Sequence, residues 1–477
     1  MHEGMRRQEV QVAKGCLHDY AALLRWQAAW QPQKVFLVAD EEKLTYDALW
    51  RRVAAMAVEA SFLGVRGDIL VLADDFIGQL VSFLALQAIG ARPILLHHGM
   101  ASEEVRAVLR ENGLQGIWRC AGASHLFEPS GLAERAHGEA DVLGVLSSGS
   151  TGTPKVMYRT YASWAGFFPV QDDIFQVCAD TVMFLHGSLS FTGNMNSLLS
   201  VLYEGGTVVT SGLMRCRHWE DLMRCHGVNC LYLVPTKLHL LGRAMRGPYA
   251  GVSTIFTGSQ LLTPDMLRQL QAVFPVARIL LYYGASELNY ITYAVCDDPE
   301  RDSANLGRPF PGIGVSIGAD GLIYVTTPYH VSGIEIPFSV KDTGSLNERG
   351  ELIFGGRREA WINKGGVKIS TVHLELALKA LPGIADAVVL PVCDARRGDT
   401  AAAFLVPEDG AERPLIRHMV RHAIKPVEVP DVIVLLPHLP LNDRGKIDRT
   451  ALHRILGTLQ KAARAGCDSD AKCEEKT

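Results

Sequence analysis

The stretch SSGSTGTPKV, Ser147 to Val156, gathers hydroxyls, glycines and one lysine into ten residues. The hydroxyls of Ser147, Ser148, Ser150 and Thr151 can donate hydrogen bonds. The backbone at Gly149 and Gly152 can approach an oxygen closely, and Lys155 adds a mobile positive charge. This is chemistry suited to phosphate. It is not the chemistry of a Walker A loop, which needs G-x-x-x-x-G-K-S/T. Here Thr153 and Pro154 separate Gly152 from Lys155, and Val156 follows the lysine. A proline before the lysine removes a backbone donor and disfavours helix at the residue preceding it. A surface turn could share this composition, so the rest of the chain has to decide.

The elements that would position such a loop alternate between strand and helix patterns. GDILVLADD, ARPILLHHG, VLGVLSSG, GTVVTSG, CLYLVP, VSTIFTGS and ARILLYYG read as strands, with helical segments between them. The run from Ile77 to Ala91, IGQLVSFLALQAIGA, is the most apolar in the chain. It carries two glutamines and is too short to span a bilayer, so it reads as a buried helix. After about residue 310, short strands joined by Gly and Asn turns give an antiparallel signature. From Thr371 the order is helix, strand, strand, helix, strand, a compact α+β unit of roughly a hundred residues. The boundary falls near Gly356 to Glu359, giving expected domains 1–356 and 357–461 and a polar, disordered tail 462–477.

Composition narrows the function classes. The 477 residues exceed what one core holds, and 48% hydrophobic with 21% charged is ordinary for a globular enzyme. A net charge of −4 gives no global attraction for nucleic acid or an anionic membrane, and neither partner is expected. The ten cysteines show no redox or zinc spacing and read as reduced thiols. The N-terminus has no apolar signal core, so a cytoplasmic protein is expected.

Five further segments follow the loop in a fixed order. YYGASE, Tyr282 to Glu287, matches Y-G-x-S/T-E. NLGRPFPG follows from Asn305, and KDTGSL keeps the Asp-x-Gly of T-G-D-x-G-x-L. GRREAWINKGGVKIS starts at Gly356, and LPLNDRGKIDR ends at Arg449. Together with the loop they resemble the adenylate-forming superfamily: acyl-CoA synthetases, peptide-synthetase adenylation domains and luciferases. The resemblance implies a large N-terminal domain of mixed α/β sheets with a β-barrel-like subdomain, and a small mobile α+β C-terminal domain. It also implies an AMP-forming acid–thiol ligase. A carboxylic acid and ATP would give an acyl-adenylate, and the thiol of coenzyme A or of a carrier-protein phosphopantetheine would take the acyl group.

By this resemblance, Ser147, Ser148, Gly149, Ser150, Thr151, Gly152 and Lys155 hold the β- and γ-phosphates. Glu287, with Thr151, holds Mg²⁺. Ser286 lies near the α-phosphate. Tyr283 lies against one face of the adenine and the backbone of Gly258, Ser259 and Gln260 against the other, with Gly284 also in the cofactor site. Asp342 accepts from the ribose hydroxyls, although Val340 and Lys341 replace the family's Thr-Gly before it. Arg357 reaches the ribose or phosphates, and Glu359 is the hinge. Lys446 is the catalytic lysine, with Glu287 and Lys155 as partners, because it can bridge the carboxylate and the α-phosphate. Lys368 stands where many members have Arg. The small domain would swing between Lys446 and the loop at Lys364, Gly365 and Gly366.

Phe191 matches the residue that gates the acid site, and Thr192 follows it where amino-acid-activating members carry Asp. The missing anion points to an aryl or aliphatic acid. Phe191, Thr192, Gly193, Asn194, Ser259, Tyr282 and Tyr290 are the expected pocket. His186 reads as a packed strand-end residue rather than a base. Two other readings stay open: a stand-alone amino-acid adenylation enzyme, and a non-catalytic nucleotide-binding relative. Pyrophosphate exchange over a panel of acids separates them.

Overall fold

The apolar strand runs assemble into two large sheets. The computed structural model describes residues 7–97, 100–122, 124–134, 138, 140–147, 153–357, 361–364, 367–394, 398–408, 410–442 and 447–459. Ser148, Gly149, Ser150, Thr151, Gly152, Glu359, Gly365, Gly366 and Lys446 lie outside the described residues, as does the tail from 462.

The nine-stranded sheet runs Arg308–Pro309, Asn289–Val295, Arg278–Ala285, Thr254–Gly258, Cys230–Tyr232, Val182–Leu185, Thr207–Thr210, Val35–Ala39, Glu42–Thr45. Its six strands from Arg278–Ala285 to Val35–Ala39 are parallel, with antiparallel neighbours at both ends. The six-stranded sheet runs Ser124–Pro129, Gly116–Ala121, Asp68–Ala73, Arg92–Leu95, Asp141–Leu146, Val156–Thr160. Its four inner strands are parallel and its edges antiparallel. Parallel strands need cover on both faces, which explains their continuous apolar runs: Thr254–Gly258 is buried at every residue.

Helix Phe76–Ala88 packs on the six-stranded sheet and Thr192–Glu204 on the nine-stranded one, and helix Tyr20–Trp30 touches both. The Phe76–Ala88 helix is buried from Gln79 to Gln87, as its sequence suggests. Its glutamines act as internal ties. Gln87 Oε1 accepts from Tyr20 N at 3.1 Å and its Nε2 donates to the Val142 carbonyl at 3.0 Å. Gln79 Oε1 accepts from Ser188 Oγ at 3.1 Å and from Leu189 N at 2.8 Å, which fixes the loop before Phe191. Buried amides of this kind must be paired, so each one sets a register.

The β-rich region after residue 310 consists of antiparallel pairs, Gly314–Ile317 with Ile323–Thr326 and Asp342–Leu346 with Leu352–Arg357. Beyond it, strands Ile384–Asp394, Gly398–Pro407 and Val432–Leu435 form a separate sheet. Ala387 and Val389 enter one apolar cluster with Leu374, Leu378, Ile416 and Val420. Val388 and Leu390 enter another with Phe404, Leu452 and Leu456. That alternation is the two-residue strand period with both faces covered, and these clusters are distinct from the main core. Among the described residues no helix is long and apolar enough to cross a membrane, and Cys16, Cys120, Cys178, Cys216, Cys225, Cys230 and Cys296 are free thiols.

Candidate active site

The phosphate-type loop spans a hairpin rather than a strand-to-helix turn. Leu146 pairs with Val156 across antiparallel strands. Ser147 N donates to the Lys155 carbonyl at 2.8 Å, and Lys155 N donates to Ser147 Oγ at 3.0 Å. Asn112 secures the outgoing arm: its Nδ2 donates to the Pro154 carbonyl and its Oδ1 accepts from Val156 N, both at 2.9 Å. Lys155 is exposed.

A cleft of about 650 Å³ opens beside this hairpin, where the parallel strands of the larger sheet end. Carboxyl ends of parallel strands are the usual place for a ligand crevice. Ser147, Phe191, Thr192, Gly193, Asn194, Ser259, Gln260, Tyr282, Tyr283, Gly284, Ser286, Glu287, Tyr290, Asp342 and Arg357 all line it, so residues spread over two hundred positions meet in one space. Gly258 ends its strand beneath them, where any Cβ would strike the Tyr282 ring at 2.5 Å.

At one end, Tyr283 Oη donates to Asp342 Oδ2 at 2.7 Å, and Arg357 Nε lies 3.7 Å from Asp342 Oδ1. Burial raises the Asp342 carboxyl above its ordinary range, while the Tyr283 hydrogen bond and Arg357 oppose the shift. Its Oδ1 is buried with no hydrogen-bond partner, which fits a ligand hydroxyl. Lys341 precedes it at φ 64° and Ser259 sits at φ 72°, both left-handed without being glycine. The Glu287 carboxylate lines the cleft with no ion pair among the described residues. No group of three or more His, Cys, Asp or Glu among those residues could hold a metal alone. A single carboxylate completed by phosphate oxygens and water suits Mg²⁺.

At the centre, Thr192 Oγ1 and Ser286 Oγ stand 3.1 Å apart. The Ser286 carbonyl accepts from Arg159 Nη2 at 2.6 Å, and Arg159 Nη1 donates to the Tyr329 carbonyl at 3.2 Å. Arg159 is fully buried and lies over the Trp164 ring. Burial lowers its guanidinium to about 10, still protonated at neutral pH.

At the other end, the Tyr232 and Tyr282 hydroxyls are 2.9 Å apart, and a Cβ on Gly193 would lie 2.0 Å from Tyr232 Oη. Glycine at 193 is thus required by close approach. Tyr282 and Tyr290 form the buried floor, with ring centroids 4.1 Å apart, and Phe191 lies 5.6 Å from the His97 ring. His186 packs against Trp219, with ring centroids 4.4 Å apart and planes tilted by 40°, and accepts at Nδ1 from Lys237 Nζ at 3.0 Å. Burial and Lys237 lower the imidazole to about 3, which makes it a poor base. The sequence reading missed Asn112, Arg159, Gln79 and Lys237. For Gln79 the signal was a polar residue within an otherwise apolar run; the other three carry no such local signal.

Comparison with known proteins gives this cleft a family. Residues 133–333 match the AMP-binding enzyme model and 373–446 match the AMP-binding enzyme C-terminal domain model, together more than half of the chain. An uncharacterized acyl-CoA ligase of Bacillus subtilis, YhfT, is 27% identical over 326 residues, covering 65% of this chain and 67% of that protein. The vibriobactin-specific 2,3-dihydroxybenzoate-AMP ligase of Vibrio cholerae is 24% identical over 524 residues, covering 93% of this chain and 94% of that protein. ATP-bound MatB from Rhodopseudomonas palustris superposes with a TM-score of 0.79 at 19% identity, over 91% of this chain and 98% of that one. The chain belongs to the AMP-binding, adenylate-forming enzyme family. Within it the chain is an acid–thiol ligase that uses ATP to form an acyl-adenylate and passes the acyl group to a thiol.

Proposed function

We propose that the chain activates an aryl or acyl acid lacking an α-ammonium group, and that coenzyme A or the phosphopantetheine of a separate carrier protein accepts the acyl group. One observation carries the choice of acid. Among the described residues, Glu287 and Asp342 are the only carboxylates lining the cleft, and both belong to the nucleotide end. An α-ammonium beside Thr192 would find no anion there and would share the acid end with the Lys237 ammonium. The relatives named as acyl-CoA ligases and as a 2,3-dihydroxybenzoate-AMP ligase span acyl and aryl acids.

The acid's carboxylate would meet the α-phosphate near the Thr192–Ser286 hydroxyl pair, with Arg159 holding Ser286 from behind. Asp342, oriented by Tyr283, would accept from the ribose. Tyr283 would lie against the adenine opposite the backbone of Gly258, Ser259 and Gln260, with Gly284 also in the cofactor site, and Arg357 would reach the ribose or phosphates. The loop from Ser147 to Lys155 would hold the β- and γ-phosphates. Glu287, with Thr151, would hold Mg²⁺, which when bound neutralises phosphate charge. Lys446 would bridge the two reacting anions and stabilise charge in the transition state. The unit 357–461 would then pivot at Glu359 and bring the loop at 364–366 to the thiol. ATP and these acceptors suit a cytoplasmic enzyme.

The test is ATP–pyrophosphate exchange over matched acids and α-amino acids, followed by thioester formation with coenzyme A and with carrier proteins. Aryl or acyl acids should drive exchange at least about 10-fold better than amino acids of the same side chain. Strong exchange with a common amino acid would refute the choice of acid.

A further inference from the structure

Strands Val182–Leu185 and Cys230–Tyr232 lie side by side and parallel. His186 follows the first directly. Lys237 sits in the first turn of helix Pro235–Ala244, just after the second. Lys237 is 7% exposed, yet it lines the cleft. Its Nζ donates to His186 Nδ1 and to the His186 carbonyl, both at 3.0 Å. An ammonium carries three donors, so one remains. Among the described residues Lys237 has no ion-pair partner. Burial lowers it to about 8, so it stays mostly protonated at neutral pH. A cation at a helix N-terminus also opposes the helix dipole. Packing alone gives no reason for a buried charge here, because an apolar side chain would avoid both costs.

The surroundings leave this ammonium accessible from the cleft. Gly187 turns the chain at φ 122°, and a Cβ there would stand 3.2 Å from Lys237 Nζ and 3.0 Å from Asn194 Nδ2. The glycine leaves that space open. His186 Nδ1 accepts from an ammonium that can only donate, so the neutral ring carries its proton on Nε2, a further donor. The Tyr232–Tyr282 pair blocks the route beneath Gly193. His186 follows a strand three places along the sheet from Arg278–Ala285, whose end leads to Glu287. At ~4.8 Å per strand that is about 14 Å from the nucleotide end.

We propose that Lys237, with His186 and Asn194 beside it, recognises a second carboxylate on the acid substrate, at the end remote from the carboxylate that is activated. This rests on reading the cleft as the acid site. The test pairs linear and aromatic dicarboxylic acids with their monomethyl esters, measuring pyrophosphate exchange and, separately, calorimetric binding to the full chain. Diacids should be preferred by about 10-fold or more in kcat/KM, chiefly through KM. In Lys237→Met the diacid-to-ester ratio should fall to within about 3-fold of one, and Lys237→Arg should restore part of it. Asn194→Asp sets a like charge beside the site and should narrow the ratio without removing the lysine, which keeps the test decisive if Lys237→Met fails to fold. A wild-type ratio near one, or equal loss on diacid and ester, would overturn the proposal while exchange itself upholds the adenylation reading. Lys237-dependent diacid binding without exchange by any acid would do the reverse.

Discussion

At the proposed nucleotide end of the cleft, the cations are exposed and the buried Asp342 carboxylate keeps spare valence. Lys155 is exposed, the Arg357 side chain is 67% exposed, and Asp342 leaves one oxygen open. At the proposed acid end the Lys237 ammonium is buried and tied to His186, with a tyrosine hydroxyl pair and packed rings in the same wall. Backbone strain does not follow the same division: Lys341, Ser259 and, beside Tyr290, Asn289 are left-handed residues lining the cleft, whereas glycine takes the positive φ beside Lys237. Exposed charge with open valence suits a ligand that is gripped and released in every turnover. Desolvated charge in a packed wall suits discrimination, because a wrong substrate leaves it unpaired.

If that division holds, variants at the exposed end change rate and nucleotide binding, not the choice of acid. Lys446→Ala should have the largest effect, lowering pyrophosphate exchange at least about 100-fold, near 3 kcal/mol. Transfer from a supplied acyl-adenylate to the thiol should largely persist. Equal loss in both half-reactions would show that this lysine is not confined to adenylation. Glu359→Pro fixes φ near −65° and deletes a donor, and should trap the adenylation orientation. Thioester formation should then drop by about 100-fold while exchange and the melting temperature hold. Full thioester turnover would move the pivot elsewhere.

Tyr283→Phe tests the open valence. Without that donor the Asp342 carboxyl, already raised by burial, should rise further. The carboxylate is the form that accepts from ribose, so the KM for ATP should climb about 5-fold at neutral pH and more steeply as pH falls. A KM profile parallel to wild type would separate Asp342 from the ribose. The smallest effect belongs to Lys341→Gly. Relieving a left-handed lysine while adding glycine's unfolded-state entropy should gain about 0.5–1 kcal/mol in denaturant unfolding. No gain would mean the surroundings compensate the strain.

The residues proposed for the nucleotide were legible as a group because they come in short local runs, such as Tyr282 to Glu287, and the described ones share one cleft. The buried Phe76–Ala88 helix was legible from its apolar length and the sheets from their strand runs. At the proposed acid end, Phe191 to Asn194, Tyr282 and Tyr290 were legible as cleft lining, but the buried polar groups were not. Lys237 reads as a solvated cation at a helix start, and its burial depends on a strand 51 residues away. Arg159 reads as an edge-strand cation until Ser286, 127 residues on, closes over it. His186 was rightly read as packed, but nothing local signals the lysine it holds. Asn112 looks like a helix-ending residue, and its clamp on Pro154 exists only once the sheet is built.

The contact between Thr192 Oγ1 and Ser286 Oγ joins the first turn of the acid-side helix to the strand end of the nucleotide side. If either ligand shifts this hydroxyl pair, the two binding equilibria share a coupling free energy. Reciprocity then requires that the factor by which the acid tightens ATP equals the factor by which ATP tightens the acid. An acid that fits poorly would forfeit that factor in the ternary complex, and the one loss would appear equally as weaker acid binding to the ATP complex and weaker ATP binding to the acid complex. The enzyme would then reject it before any ATP is cleaved.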